Sequence, residues 1–251
     1  MVAEREFETE LEAFRVGVEA AARFFYALQA IRFLSARDRS VLELLNQAPV
    51  FWKTNMGALQ EATFTALGRV FDEDGRTHNV DRLLKVAQAN PGIFTASALR
   101  TRKLAGATVE PDWLDGYVAN AYLPRPEDWR RLRKHAKKWR GVYATNYKNI
   151  RHRVYAHRER ITLDEKAELF GRTSYEELEK LLAFLDALHE ALWQLYNNGR
   201  KPVIRYRRRS IVEMLSIEAV GRRGTTAGER IARDTKQFLE RHVSRHRRLD
   251  E

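Results

Sequence analysis

The sequence predicts an all-α fold, and three observations predict it. Apolar residues recur at steps of three and four along most of the chain, which is the spacing of one helix face. The six prolines lie between these periodic segments or in their first turn, where a helix tolerates proline. Residues 203–206 are the one candidate for a short strand. With 251 residues, 44% of them hydrophobic, the chain is long enough for a substantial core.

The apolar pattern divides the first half of the chain into successive helices. A first long helix to about residue 36 has Phe7, Phe14 and Phe25 on one face and glutamates in its first turns, where the helix dipole favours acids. A second, short helix covers about residues 38–47, before Pro49. A third starts near residue 50 and ends at a polar loop. Shorter helices follow at about residues 80–89, 95–104 and 111–121.

The second half of the chain continues the helical pattern. After Pro126, a basic helix carries an apolar stripe that starts at Trp129 and runs through Val154. Thr162 and Ser174 each precede a glutamate by three residues, which is the capping-box pattern of a helix start. We expect residues 1–199 to form a helical domain and residues 200–251 to form a basic, partly helical C-terminal extension.

The positive charge is concentrated in one segment. The chain has 45 basic and 34 acidic residues, a net charge of +11. Residues 129–160 contain twelve arginines and lysines and one acid, so this segment alone accounts for the excess. Such a concentration favours a polyanion such as RNA or DNA, or an anionic membrane surface, as the partner. A solvated helix face is the plainer interpretation.

The residues and motifs that the sequence lacks argue against several classes of protein. The chain has no cysteine, which excludes disulfides, thiolate metal sites and a cysteine nucleophile. It has no apolar run of about 18 residues and no secretory signal pattern at its start, so we expect a cytoplasmic protein without a membrane span. The phosphate-binding loop, the zinc-protease helix, the hydrolase nucleophile elbow and the kinase motifs are also missing.

The cluster at residues 149–158 combines histidine with arginine. On a regular helix, at about 100° per residue, His157 shares a face with Ile150 and Val154, and Arg151 and Arg153 lie at the edges of that face. Imidazole can move protons near neutral pH, and guanidinium can stabilise charge on phosphoryl oxygens. The cluster therefore suits metal-free phosphodiester chemistry on RNA. A buried histidine that is hydrogen-bonded in the core is the alternative.

The string from Arg151 through His152 to His157, with Ala156 before the second histidine, resembles the signature of the HEPN superfamily. Upstream, residues 51–59 and 66–72 are similar to the Arg-Leu-x-Asp element of the AbiU-type abortive-infection branch of that superfamily, and residues 80–84 also look like that branch. The resemblance covers residues from about 5 to 199.

The resemblance implies a fold, an activity and partners. The fold would be a HEPN-like bundle with long antiparallel helices. The activity would be metal-independent cleavage of RNA, without a cofactor, that leaves a cyclic phosphate. A homodimer would bring two motifs together across one cleft. The protein would be a toxin or an abortive-infection effector in bacterial defence, with an antitoxin or another defence protein as a further partner.

The resemblance also implies roles for the residues of the motif. His157 would be the general acid or base, Arg151 would stabilise the phosphate, and His152 would orient the site. Arg153 lies on a face nearer to His157, so it is an alternative to Arg151 as the working arginine. Zinc binding by the two histidines is disfavoured, because a five-residue step separates them by about 140° on a regular helix and no third ligand is apparent.

Other residues are candidates for binding the substrate. The basic side chains beside the motif would contact RNA phosphates, and Tyr155 could stack on an unpaired base. Arg69 and Asp72 match the upstream element of the AbiU-type branch, but their simpler interpretation is an i,i+3 ion pair that caps a helix. The substrate-binding candidates are Arg153, Arg158, Lys148 and Tyr155.

Two further function classes stay open on the sequence. The first is a non-catalytic module that binds nucleic acid or nucleotides, in which the basic helix binds phosphates and His157 is structural. The second is an interaction protein, such as the antitoxin half of a pair. RNA binding without turnover and with a steep dependence on salt would favour the first, and growth arrest that is lost with Arg151→Ala would argue against both.

Overall fold

The computed structural model describes residues 2–106, 108–156, 162–216 and 226–247. These residues form helices and the loops that connect them, and none of them belongs to a β-strand. The all-α fold class is therefore confirmed. No helix within the described ranges is both long enough and apolar enough to cross a bilayer.

The helix boundaries agree with the apolar pattern of the sequence to within a few residues at most ends. A 3-10 turn at Pro91–Phe94 and a π-helix at Ile150–Ala156 interrupt the series of α-helices. The α-helices are α1 (Val2–Arg37), α2 (Arg39–Asn46), α3 (Pro49–Val70), α4 (Val80–Ala89), α5 (Ala96–Leu104), α6 (Leu114–Ala119), α7 (Pro126–Asn146), α8 (Leu163–Gly171), α9 (Tyr175–Asn198), α10 (Ile211–Ser216) and α11 (Ala227–Arg247).

The helix starts are capped by the residues that the sequence indicates. Thr162 and Glu165 form a complete capping box at α8, with Thr162 N–H donating to the Glu165 carboxylate at 2.7 Å. At α9, the Glu177 N–H donates to Ser174 Oγ at 3.4 Å, but the Glu177 carboxylate accepts the Tyr147 hydroxyl. The second predicted capping residue thus also anchors a tyrosine that lies far away in the sequence.

The chain divides into two compact units, each assembled from distant stretches. Unit 1 consists of residues 1–17, 68–146 and 183–207. Its centre is aromatic, with ring centroids 5.4 Å apart for Phe7 and Phe94 and 5.0 Å apart for Phe7 and Tyr196. The nearly buried Glu10 pairs with Arg82 and, at 3.0 Å, with His78, so this carboxylate is neutralised inside the unit.

Unit 2 consists of residues 18–67, 147–182 and 208–251. Leu239 and Val243 of α11 are buried against Ile31, Val41 and Leu45 of α1 and α2. The C-terminal residues therefore contribute to a hydrophobic core, although their apolar residues are sparse in sequence. The predicted division of the chain into residues 1–199 and 200–251 stays a prediction.

One glycine makes the packing of α11 possible. A Cβ atom at Gly228 would lie 2.5 Å from the ring of Tyr26, so no larger residue fits there without a shift of that ring. The Tyr26 hydroxyl donates to the carbonyl oxygen of Arg209 at 3.1 Å, and Arg209 pairs with Glu229. These contacts hold the start of α11 against α1 within unit 2.

Candidate functional site

The HEPN-like motif does not lie on a continuous α-helix. We expected the basic helix to continue through Val154, but α7 ends at Asn146 and residues 150–156 form a π-helix. Hydrogen bonds from i to i+5 place more residues in each turn than the α-helix does, so the 100° projection does not apply to residues 150–156. His157 and Arg158 lie outside the described residues.

The segment before the motif is anchored by a buried tyrosine. Tyr147 is fully buried, and its hydroxyl donates to the Glu177 carboxylate at 2.7 Å and to the Ser174 carbonyl at 3.3 Å. Burial and the hydrogen bond to Glu177 raise the pKa of Tyr147. The Tyr143 ring is buried as well, so both tyrosines pack in the core.

The π-helix is held by aromatic contacts to α3. The Phe64 ring centroid lies 5.9 Å from that of Tyr155, with the rings stacked, and 6.0 Å from that of Tyr147. Ile150 is also fully buried. We use the name motif segment for residues 147–156, and its inner side is fixed by these three side chains.

The two candidate arginines differ in their partners. Arg153 pairs with Glu165 at 3.4 Å, and both side chains are partly exposed. The pKa of Glu165 is lowered mainly by the backbone and side chain of Thr162, with a smaller effect from Arg153. Within the described residues, no carboxylate forms an ion pair with the partly exposed Arg151. Arg153 thus contributes to the N-terminal cap of α8, and Arg151 keeps its charge available.

The other predicted residues of the motif lie around Arg151. His152 is the next residue of the π-helix and is partly exposed, and Lys148 is exposed one turn earlier. Tyr155 stacks on Phe64, and burial raises its pKa to about 12, with Glu61 adding to the shift. The Tyr155 ring, which the sequence left open for base stacking, therefore has an internal packing partner.

Arg69 and Asp72 are not paired as expected. Asp72 Oδ1 instead accepts the N–H groups of Glu73, at 2.8 Å, and Asp74, at 3.3 Å. Among the described residues Arg69 and Asp72 make no ion pair, because the short Asp72 side chain bonds to the loop backbone that follows it. Both residues belong to unit 1, whereas the motif segment belongs to unit 2.

The basic helix α7 buries its apolar stripe as predicted. Several of its arginines are paired: Arg130 with Glu127 at 2.6 Å, Arg131 with Asp128 at 2.7 Å and Arg140 with Asp81 at 2.5 Å. Its three lysines are exposed, and no described carboxylate pairs with them. The charge of α7 that no described carboxylate offsets therefore resides in Lys134, Lys137, Lys138 and Arg133, and Arg133 donates to the neutral Gln88 at 3.0 Å.

The segment after α9 lies along α7 within unit 1. Arg131 donates to the Pro202 carbonyl at 3.1 Å, and the Trp139 indole N–H donates to the Tyr206 hydroxyl at 3.2 Å. The step from Arg131 to Trp139 along the helix and the step from Pro202 to Tyr206 along extended chain both span about 12–13 Å. The two segments therefore run side by side in the same direction. The short strand predicted at residues 203–206 is absent, since this stretch packs on a helix and has no described strand to pair with.

This packing adds four exposed cations to those of α7. Burial lowers the pKa of His135, and the neighbouring Lys138, Arg131 and Lys134 lower it further, which indicates a positive potential on this side of the helix. Both basic stretches are visible in the sequence as charge runs, but their separation along the chain does not indicate that they pack together. We name as the basic surface the exposed residues Lys134, Lys137, Lys138, Arg200, Lys201, Arg205 and Arg207.

The described residues contain no group of three or more His, Asp or Glu side chains that could hold a metal ion. In a comparison with known families, the model HEPN_AbiU2, described as AbiU2, matches residues 4–214. The matched range covers most of the chain, includes the whole motif and extends past residue 199. No curated protein matches the chain, and no solved structure does.

Proposed function

Since the chain belongs to the AbiU2 family, the AbiU-type branch of the HEPN superfamily, we propose that it is a metal-independent endoribonuclease. The observation that supports the proposal most directly is the charge of Arg151, which is unpaired among the described residues. Its neighbours Tyr147, Ile150, Arg153 and Tyr155 all have partners inside unit 2, but no described carboxylate neutralises Arg151. A partly exposed guanidinium held on an anchored segment suits the binding of a phosphate.

The proposed reaction needs one acid, one base and a cation. His157 takes the proton of a ribose 2′-hydroxyl, whose oxygen then attacks the adjacent phosphorus. The bond from phosphorus to the 5′-oxygen breaks, that oxygen receives a proton from a second imidazole, and a 2′,3′-cyclic phosphate remains. Arg151 stabilises the charge on the non-bridging oxygens, and His152 orients the site. In a homodimer, the second imidazole comes from the other copy of His157.

The biological setting is part of the same proposal. The protein acts in the bacterial cytoplasm as a toxin or an abortive-infection effector, and an antitoxin or another defence protein restrains it. The supporting evidence is the family membership. Light scattering of the purified protein tests the homodimer, and growth arrest on expression, lost in Arg151→Ala, tests the toxin role.

The activity is tested directly by cleavage of RNA in excess EDTA. We expect the wild-type protein to cut and His157→Ala to lose cleavage by at least about a hundredfold, as removal of a general acid or base does. His242→Ala, which changes a partly exposed histidine of α11, serves as the control and should cut normally. Circular dichroism should show the same helical content in all three proteins. Full activity of His157→Ala would contradict the proposal.

A second candidate function is non-catalytic binding of RNA, and the basic surface favours it. Its exposed lysines and arginines would bind phosphates without any contribution from the motif segment. Retention of RNA with a steep dependence on salt, and without products after long incubation, would support this candidate over the endoribonuclease.

A further inference from the structure

Unit 2 contains a cavity of about 340 Å³. This volume lies at the lower end of the range of small-molecule sites. The floor of the cavity consists of buried side chains of α1, α3 and α9, and its rim consists of partly exposed side chains. The floor residues are Phe25, Leu28, Gln29, Thr63, Phe64 and Leu178.

The floor contains a polar side chain without a partner. Gln29 is 6% exposed, and no described residue accepts a hydrogen bond from its Nε2. A buried amide that is desolvated and unpaired destabilises a fold, and most buried polar groups in proteins do have a partner. An unpaired Nε2 at the floor of a cavity therefore indicates a ligand that offers it an acceptor.

The aromatic side chains that line the cavity suit a flat ring. Phe25 and Phe64 are buried, and Phe170 and Tyr175 complete the aromatic lining. On the rim, the Arg32 guanidinium lies 5.9 Å from the centroid of the Tyr175 ring. None of the lining residues is acidic. Aromatic rings and guanidinium planes are the surfaces on which proteins stack unpaired bases.

One of the floor side chains also contacts the motif segment. The Phe64 ring lines the cavity and stacks on Tyr155, with centroids 5.9 Å apart. Arg32 also lies close enough to Tyr155 to lower its pKa against the effect of burial. A ligand in the cavity would thus be separated from the π-helix by a single aromatic side chain.

We propose that this cavity binds one unstacked nucleobase. The Gln29 carboxamide pairs with an edge of the base, as glutamine does with the N6 and N7 atoms of adenine. The aromatic lining and Arg32 contact its faces. The inference rests on the proposed function in one respect, because it assigns the base to the RNA substrate, next to the bond that is cut.

The test separates base binding from cleavage. Adenosine, guanosine, cytidine and uridine are titrated calorimetrically into the wild type and into Gln29→Leu. We expect at least one nucleoside to bind the wild type and to bind Gln29→Leu about tenfold or more weakly, since a bidentate pair is lost. Gln29→Leu should melt at a higher temperature than the free wild type, because the unpaired amide is gone. Gln237→Leu, an exposed glutamine of α11, should change neither quantity.

A second variant tests the cavity independently, in case Gln29→Leu does not fold. Leu28→Phe fills the floor of the cavity with carbon atoms and leaves every polar group in place, so it should also abolish nucleoside binding. Absence of nucleoside binding to the wild type overturns the proposal, and so does equal binding to the wild type and to both variants.

The source of the base is decided by the cleavage pattern. If the base belongs to the substrate, Gln29→Leu should lose the base preference of the wild type beside the cut, and Gln237→Leu should keep it. If nucleoside binding depends on Gln29 but Gln29→Leu keeps the cleavage pattern of the wild type, the base does not belong to the RNA substrate. The occupant of the cavity is then a free nucleotide. If the wild type binds nucleosides but cuts no RNA, the endoribonuclease proposal fails and the nucleobase site stands.

Discussion

The basic surface of unit 1 and the motif segment of unit 2 contain similar side chains, but they hold them differently. The lysines of α7 extend from a regular helix whose opposite stripe is buried, and no described carboxylate restrains them. In the motif segment, Arg151 is flanked by Tyr147 and Tyr155, whose rings both contact Phe64. Exposed cations attract a polyanion, whereas an anchored cation can be aimed at one phosphate.

Under the proposed function, this difference predicts that RNA affinity and the rate of cleavage respond to different residues. Charges on the basic surface should set the strength and the salt dependence of RNA binding. The anchored Arg151 should set the rate of the chemical step, with little effect on binding. Three variants test this separation.

The largest effect is expected for Arg151→Ala. Removing the cation that stabilises the transition state should lower the single-turnover cleavage rate by about 10²–10³-fold, with RNA affinity changed by less than threefold. Arg153→Ala is the matched control, because its guanidinium is already paired with Glu165. It should retain activity within a few-fold. If Arg153→Ala lowers the cleavage rate more than Arg151→Ala does, Arg153 is the arginine that stabilises the transition state.

A smaller effect is expected for simultaneous replacement of Lys134, Lys137 and Lys138 by alanine. If each lysine neutralises one phosphate, the slope of log affinity against log salt should become shallower by about 2. The single-turnover rate at saturating RNA should stay unchanged. Measuring fluorescence anisotropy at several salt concentrations gives the slope.

A matched control for this variant replaces three exposed lysines outside the basic surface. Lys53, Lys85 and Lys166 lie on α3, α4 and α8 and are exposed. Their removal lowers the net charge by the same amount but should leave the slope closer to that of the wild type. Equal slopes for the two triple variants would show that net charge, and not the basic surface, determines binding.

The smallest effect is expected for Tyr155→Phe. Burial raises the pKa of Tyr155 from 10.0 to about 12, so the folded protein keeps a proton that the unfolded chain loses above pH 10. The free energy of unfolding of the wild type should therefore fall between pH 10 and pH 11 by about 1 kcal/mol more than that of the variant. Urea unfolding at both pH values measures this difference.

The same variant distinguishes packing from base stacking. Because phenylalanine preserves the contact with Phe64, cleavage at pH 7 should stay within twofold of the wild type. An equal loss of stability in both proteins between pH 10 and pH 11 would mean that the Tyr155 hydroxyl is not buried.

The helices could be predicted from the sequence because their signals are local. Apolar spacing, proline positions and capping residues all act within a few turns of the same helix. They placed α4 at residues 80–89 and the capping box of Thr162 correctly. The family resemblance was confirmed as well, since it rests on strings of neighbouring residues.

The details of the site depended on contacts between distant stretches. Glu165 pairs with Arg153 from the start of the next helix, and the Tyr206 hydroxyl accepts the Trp139 indole N–H from 67 residues away. The expected pair of Arg69 and Asp72 fitted the helical spacing, but the loop backbone offered Asp72 nearer donors. Spacing shows which side chains can meet, and it does not show which competing partner lies closer.

By itself, the sequence determined the all-α class, the inward stripes of the helices, the concentration of charge at residues 129–160 and the family of the chain. Only the tertiary structure decided that residues 150–156 of the motif segment form a π-helix, that residues 202–206 lie along α7, and that the Gln29 Nε2 lies unpaired in the floor of a cavity. The reason is the range of the forces involved. Helix formation is decided within about one turn, whereas hydrogen-bond partners and cavities are decided by which distant segments pack together.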